Sequence, residues 1–513
     1  IAHNLKYDYL VLQKYGAVMA GPLFDTMIAH YLFQPDMKHG MDALSESFLN
    51  YKPISIETLI GRKGKNQLNM KDLPSDKIKD YAAEDADVTF QLKELFSEKM
   101  EKGNVKKLFN DIEMPLTKVL ADMEAEGINL DINSLSKFSE ELGADIEKLH
   151  KKIIAEAGTE FNLDSPKQLG QILFEVLKVT DKPKKTKTGQ YSTSEDVLSK
   201  LANDHKIIPN ILDYRSLKKL KSTYVDALPA LINPNTKKLH TTYMQTVAAT
   251  GRLSSNNPNL QNIPIKTEKG REIRRTFIPR NKEFILLAAD YSQIELRIIA
   301  ALSEDENMQL AFVNKEDIHT ATAAKVFGVK QNDVTREMRG KAKAVNFGII
   351  YGQSAFGLSQ NLNISRGEAK EIIESYFIQY PKIRTYMDKT IEQAKKNGYV
   401  ETILGRRRYL KDINSSNAIV RGHAERNAVN APIQGSAADI IKIAMINIHT
   451  GLKEGAYKSK MLLQVHDELV FDAHNNETDR LTAFVKDKME NAVTLSVPLD
   501  VEIGIGKNWL QAH

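Results

Sequence analysis

Two apolar segments of strand length lie far apart in the chain, and each delivers an aspartate at its end. "EFILLAAD" stops on Asp290, and "KMLLQVHDELVFDA" has two apolar arms around a polar centre at His466 and Asp467, the pattern of a β-hairpin. A third strand, "VPLDVEIGIG", follows near the end, and alternation around Leu239 to Ala248 suggests another. From Ile294 to Arg426 the pattern is mainly helical. A sheet with pieces at 239–290 and 461–505 must therefore be interrupted by a helical insertion, which predicts a mixed α+β domain.

The rest of the 513 residues reads as helix with short connectors. One helix is expected to begin at Ser75 or Asp76, after Pro74, and run toward Met100; another over 109–126 is ended by Gly127. "TDKPKKTKTGQYSTSE" is a basic loop within the mostly helical stretch 132–230. A length of 513 residues suggests about three to five domains or subdomains. No apolar run approaches the ~18 residues of a membrane span, and the longest is Phe284–Ala289. The absence of cysteine excludes disulfides and thiolate metal sites and fits a reducing cytoplasm. The net charge of +5 says little, but basic residues cluster at Lys182–Lys187, Lys266–Lys282, Arg336–Lys343 and Arg406–Arg408. Each cluster reads equally as a phosphate-holding patch or a solvated face.

Alone, Asp290 or Asp467 is more often a cap or turn residue than a functional one. Together at the ends of strands in one sheet, they can converge on hard cations such as Mg²⁺, which take oxygen ligands and keep positions open for substrate phosphates. Two such ions activate an attacking oxygen and stabilise a leaving one. In "REMRGKAKAVNFGIIYG", Arg339, Lys343, Phe347 and Tyr351 recur every four residues and form a stripe from cationic to aromatic. The stripe suits a nucleoside triphosphate, and it equally suits an amphipathic helix with core aromatics. No GxxxxGK[ST] is present and no GxGxxG follows a strand, so phosphates would be held by this helix and the metals.

At these residues the chain resembles the DNA polymerase I family, the family A DNA polymerases, over their large-fragment region. "DYSQIELR", "RxxxKxxxFGxxYG" and "VHDEL" resemble its three polymerase motifs in order; "STY" at 222–224, "TGRLSSNNPNLQNIP", "KEDIHTATAAKVFG", "AERNAVNAPIQGSAADIIK" and the terminal "GKNWLQAH" extend the likeness along nearly the whole chain. The resemblance implies a right-hand polymerase fold over 106–513. The thumb would span about 132–235 and the fingers about 301–426. The palm would combine about 106–131, 236–300 and 427–513. It implies DNA-directed DNA synthesis in replication and repair, from primer-template DNA and dNTPs, by a cytoplasmic monomer. Asp290 and Asp467 would hold two Mg²⁺, with Glu468 supporting them. Arg339 and Lys343 would contact the incoming phosphates, Lys343 also as proton donor to pyrophosphate. His319 and Gln293 would assist nucleotide binding, Phe347 would meet the sugar, and Tyr351 would sit beside the templating position, with Gly352 allowing close helix approach. Arg252, Arg426, Asn430, Gln434 and His466 would touch primer or template.

"AHNLKYDYLVL" and "YAAEDADVTFQL" resemble two motifs of the family's 3′–5′ exonuclease, a ribonuclease H-like α/β domain that would here occupy 1–105 in truncated form. Asp8 and Asp85 would be metal ligands, and Tyr81, one helical turn before Asp85, would orient water. The remaining motif, a strand with Asp-x-Glu, is expected upstream of Ile1, so proofreading is expected of the full-length protein more than of this chain. Phe24-Asp25-Thr26 has no Glu two positions on and reads as structural. Two other readings are a single-subunit RNA polymerase and a catalytically inactive DNA-binding relative. Glu295 speaks against the first, because a Glu at this position in the family leaves no room for a 2′-hydroxyl. The retained aspartates and Lys343 speak against the second.

Overall fold

The computed structural model describes residues 1–265 and 267–513; Lys266, at the head of one basic cluster, lies outside the described residues. Four strands make the central sheet: β1 (Phe284–Tyr291), β2 (Lys460–Val465), β3 (Glu468–His474) and β4 (Val501–Gly506). All neighbours are antiparallel in the order β4-β1-β3-β2, so β1, remote in sequence, sits between the hairpin and the last strand. The interrupted sheet expected from the pattern is what forms. Its upstream part is smaller than expected: of 239–248 only Thr242–Met244 is strand, paired with Ser254–Asn256 in a separate two-stranded ribbon.

The side-chain period of two explains why β1 is an unbroken apolar run. Leu287, Ala289 and Tyr291 enter one core together with Leu469 and Phe471, while Leu286 and Ala288 enter another with Val470 and Trp509. The first core is roofed by Met114–Glu126, Ile294–Ser303 and the long helix Ala418–Glu454. Both faces of β1 are thus covered, and Asp290 stands near its end.

Between β1 and β2 the chain is helical as expected, with one exception. Tyr399–Glu401 and Arg407–Tyr409 form a short hairpin that the helical reading missed. Three-residue arms are too short to show a period, and Gly405 at φ 83° makes its turn. The helix expected over 109–126 forms, but Phe109–Glu113 is wound as a π-turn just before Pro115, which has no N–H to continue the regular ladder. Residues 146–214 carry a core of their own.

The regular elements of residues 1–105 are helices, apart from a parallel bridge between Ala2 and Asp25. The helix expected at Ser75 runs to Lys102. Asp25 is buried and accepts hydrogen bonds from the backbone N–H of Asn4, Leu5, Met27 and Ile28, capping Thr26–Phe33. It is structural, as its motif context implied. Among the described residues no helix is long and apolar enough to cross a membrane.

Candidate active site

The register of the sheet assembles the carboxylates. Asp290, at the end of β1, lies directly opposite Glu468, the first residue of β3, so their side chains share one face. Val465 pairs with Glu468, which leaves His466 and Asp467 as a two-residue hairpin loop. The tight loop requires His466 to adopt φ 55°, a left-handed backbone that a residue with a Cβ adopts at a cost of about 1 kcal/mol. Asp467 is thereby held beside the end of β1, where its carbonyl accepts the N–H of Tyr291 at 3.2 Å.

The three acids are not equivalent. Glu468, 3% exposed, receives Trp509 Nε1 at 3.0 Å and His513 Nδ1 at 3.1 Å, and Arg274 lies 3.3 Å away. The C-terminal turn reaches it because Gly504 leaves room: a Cβ there would stand 2.1 Å from the Ala512 carbonyl oxygen. By contrast, the carboxylates of Asp290 and Asp467 accept no hydrogen bond among the described residues. Burial, and then the charges of Glu468 and Asp467, push Asp290 up to about 7; burial and then Glu295 push Asp467 up to about 6. Two half-buried acids pressed upward by like charge need positive charge to stay ionised. No three His, Asp or Glu among the described residues form a closed cage. An open two-carboxylate donor set fits hard divalent ions that take further oxygens from a substrate.

Glu295, 5% exposed, is fixed from two sides. Arg252 Nη2 donates to it at 2.6 Å and the Tyr351 hydroxyl donates to its other oxygen. Tyr351 caps Arg336–Ile350, so the helix expected to carry the cationic-to-aromatic stripe forms and its aromatic end reaches the sheet. The Phe347 ring lies 6.3 Å from that of Tyr351 and 5.9 Å from His319. His319 is buried, and its Nδ1 accepts from the Asn346 amide at 2.9 Å. Burial lowers it to about 4, so it is neutral at pH 7. At the other end of the stripe, Arg339 donates twice to Asp317, while Lys343 is exposed and makes no ion pair among the described residues. Gln293, at φ 54° between β1 and the following helix, has a buried Oε1 with no partner among the described residues.

Arg426, Asn430 and Gln434 follow one another at four-residue spacing along Ala418–Glu454 and share a face. Arg426 passes Gly352, which sits at φ 67°; a Cβ on Gly352 would lie 2.7 Å from Arg426 Cγ, so the expected close approach is present. Asn430 Oδ1 is buried without a partner among the described residues. His466 lines a cleft of about 950 Å³ with Arg215, Lys219, Tyr224, Asn256 and Gln261.

The basic cluster Arg406–Arg408 is not a phosphate patch. Arg406, 4% exposed, is bound to Glu113 and Asp439; Arg407 pairs with Glu401 and Arg408 with Asp36. Sequence reading also missed Arg274, Trp509 and His513 around Glu468; the terminal "GKNWLQAH" was the signal that could have found the last two.

In residues 1–105, Tyr81 and Asp85 share a helix face, and burial, then the Asp85 charge, push the tyrosine up to about 12. Burial raises Asp85, whose Oδ1 has no partner among the described residues, and Asp42 adds to that rise. Asp8 is raised by burial on Leu5–Lys14.

A family model described as DNA polymerase family A matches residues 132–511, and one described as 3′-5′ exonuclease matches 1–101. DNA polymerase I of Pseudomonas aeruginosa is 46% identical over 518 residues, covering 100% of this chain and 56% of that protein. That of Geobacillus stearothermophilus is 45% identical over 503 residues, covering 98% and 57%. The chain thus spans about half the length of these curated relatives. Among solved structures, the POL domain of Pol1 from M. smegmatis, in complex with DNA primer-template and dNTP, is similar with a TM-score of 0.89 and 40% identity, covering 99% of this chain and 86% of that one. With one family model spanning the sheet and its helical insertion, and this identity along its whole length, the chain belongs to DNA polymerase family A.

Proposed function

We propose that the chain extends a primer 3′ end with deoxynucleoside triphosphates under the direction of a template, releasing pyrophosphate. The observation that carries this is the convergence of two carboxylates, Asp290 and Asp467, that have no partner among the described residues, beside the clamped Glu295–Tyr351 pair and the exposed Lys343. Asp290 and Asp467 would hold two Mg²⁺, which when bound supply a Lewis acid for the attacking and leaving oxygens. Glu468, spoken for by Trp509, His513 and Arg274, orients the hairpin instead of ligating.

The residues' own roles follow from their surroundings. Arg339 and Lys343 bind the triphosphate, and Lys343, exposed and uncompensated, protonates the leaving pyrophosphate. Neutral His319 and the open Gln293 carbonyl orient the nucleotide, and Phe347 backs its sugar. Arg252, Arg426, Asn430, Gln434 and His466 contact primer and template, and the cleft ending at His466 receives the duplex. In this reading 132–235 is the thumb, 301–426 the fingers, and 106–131, 236–300 and 427–513 the palm. Ala418–Glu454 runs unbroken across the fingers–palm boundary and carries three DNA-contacting residues there. The full-length protein would proofread with Asp8, Tyr81 and Asp85. A cytoplasmic monomer acting in replication and repair completes the reading.

Glu295 sets the choice of sugar. Held by Arg252 and Tyr351, it cannot swing away from a 2′-hydroxyl. The test is incorporation of dNTP and rNTP opposite the same template base. Glu295→Ala is expected to raise the relative use of rNTP by at least about tenfold, a loss of discrimination in the range of a single steric contact. An unchanged ratio removes Glu295 from sugar selection, and a parent that uses rNTP as well as dNTP overturns the DNA polymerase reading.

A further inference from the structure

A lysine from the first helix is buried in the polymerase region. Lys6 is 8% exposed and Glu124, on Met114–Glu126, is 7% exposed; the two form an ion pair. Both close on one residue of the small ribbon, Tyr243. Lys6 Nζ donates to the Tyr243 carbonyl at 2.5 Å, and the Tyr243 N–H donates to Glu124 Oε1 at 2.6 Å. The backbone of Tyr243 is thus gripped at both its donor and its acceptor. Its side chain, 1% exposed, spans to the catalytic hairpin, where its hydroxyl accepts the N–H of Gln464 at 2.9 Å and donates to the Gln464 carbonyl at 3.2 Å. Gln464 in turn donates from its amide to the carbonyl of His466, the left-handed residue that turns the chain into Asp467, and accepts Gln261 Nε2 at 2.8 Å.

We infer that Lys6, Glu124, Tyr243 and Gln464 are positioning residues that transmit the seating of the first helix to Asp467. The inference rests on the polymerase reading of Asp467. A left-handed histidine is a conformation the loop keeps only if its surroundings hold it. The Gln464 amide is the group that holds it, and Tyr243 holds Gln464 through both of its backbone polar groups. Every link from Lys6 to Gln464 is buried and the last, from Gln464 to His466, is half-buried, so water competes little for the series. Lys6 lies two residues before Asp8 on the same helix, so the exonuclease-like module and the polymerase carboxylate share one hydrogen-bonded rod. Simple docking of two modules requires only the Lys6–Glu124 contact. It does not require that contact to grip the tyrosine that braces the catalytic hairpin.

The experiment is a mutant cycle on the full chain, read as kcat and KM for single dNTP addition and as the Kd for primer-template DNA. One arm is Tyr243→Phe, which deletes only the hydroxyl. The other is Lys6→Met with Glu124→Gln, which removes both buried charges together and so avoids stranding one. Each arm is expected to lower kcat by about fivefold, and the combination by no more than either arm alone, the signature of residues acting through one connection. KM for dNTP and Kd for DNA are expected to stay at the parent values. The inference is overturned if either arm leaves kcat unchanged, if the two effects multiply, or if kcat falls only in step with lost DNA binding. A parent chain that fails to extend a primer overturns the polymerase reading itself.

Discussion

Glu113 shows at the scale of one residue how this fold uses buried charge. It is fully buried and receives Lys442 Nζ at 2.7 Å, the Gln245 amide at 2.7 Å and the Arg406 guanidinium, which also donates to Asp439 at 2.7 and 2.9 Å. Burial alone would raise Glu113, but Lys442 and Arg406 outweigh it and hold the carboxyl down at about 2. Removing one member strands another, and a stranded buried charge costs about 3–5 kcal/mol. Lys442→Met is expected to lower unfolding stability by that order, measured as a shift of the denaturant midpoint at constant slope; a shift below about 1 kcal/mol would mean the network carries no net weight. None of this was legible in the sequence, because its partners come from 113, 245, 406, 439 and 442, and a buried Lys looks like any solvated Lys. The "GRRR" run at 405–408 even suggested a phosphate patch. Asp290 and Asp467 were legible because each ends an apolar run. The closeness of Glu295 to Tyr351 and Arg252 has no periodic trace, and the resemblance pointed only to Glu295 itself.

Whole elements were legible where periodicity is long. The helix from Ser75, the strand at Phe284 and the hairpin at Lys460 all formed near their expected bounds. The hairpin at 399–409 was lost because its arms are three residues long, and the π-turn at Phe109–Glu113 because a single proline sets it. At this scale the first module carries a pH dependence. His3 and His30 are lowered to about 4, first by burial, and His39 is lowered by burial as well. Their ordinary value is 6.5, so as pH falls below 6.5 the unfolded chain takes up protons that the folded module refuses. The stability they give is present above pH 6.5 and is lost as pH falls toward about 4. Asp25, pushed up to about 6 by burial, acts in the opposite sense over part of that window, so the comparison of variant with parent isolates the histidine. His30→Asn is expected to flatten the fall of the unfolding temperature between pH 6.5 and 4. An identical slope in variant and parent would place the cause elsewhere.

Across the whole molecule, one sheet end organises the proposed chemistry. β1 and the hairpin supply Asp290 and Asp467, the helical insertion supplies Lys343 and Tyr351, the long helix supplies Arg426, Asn430 and Gln434, and the C-terminal turn secures Glu468. A sheet interrupted by a helical insertion was visible in the pattern of apolar runs. Its strand order was not, since pairing β1 with both β3 and β4 is a long-range choice that no local window encodes. The most direct test is single-turnover addition of one dNTP to a primer-template by the parent chain, Asp290→Asn and Asp467→Asn, with DNA binding measured on the same preparations. Asn keeps the shape and removes the charge. The expected result is Mg²⁺-dependent extension by the parent, a loss of at least about a hundredfold in each variant, as when a group stabilising the transition state is removed, and DNA affinity little changed, because most of it comes from phosphate contacts elsewhere. Extension by either variant at a rate close to the parent's would contradict the account.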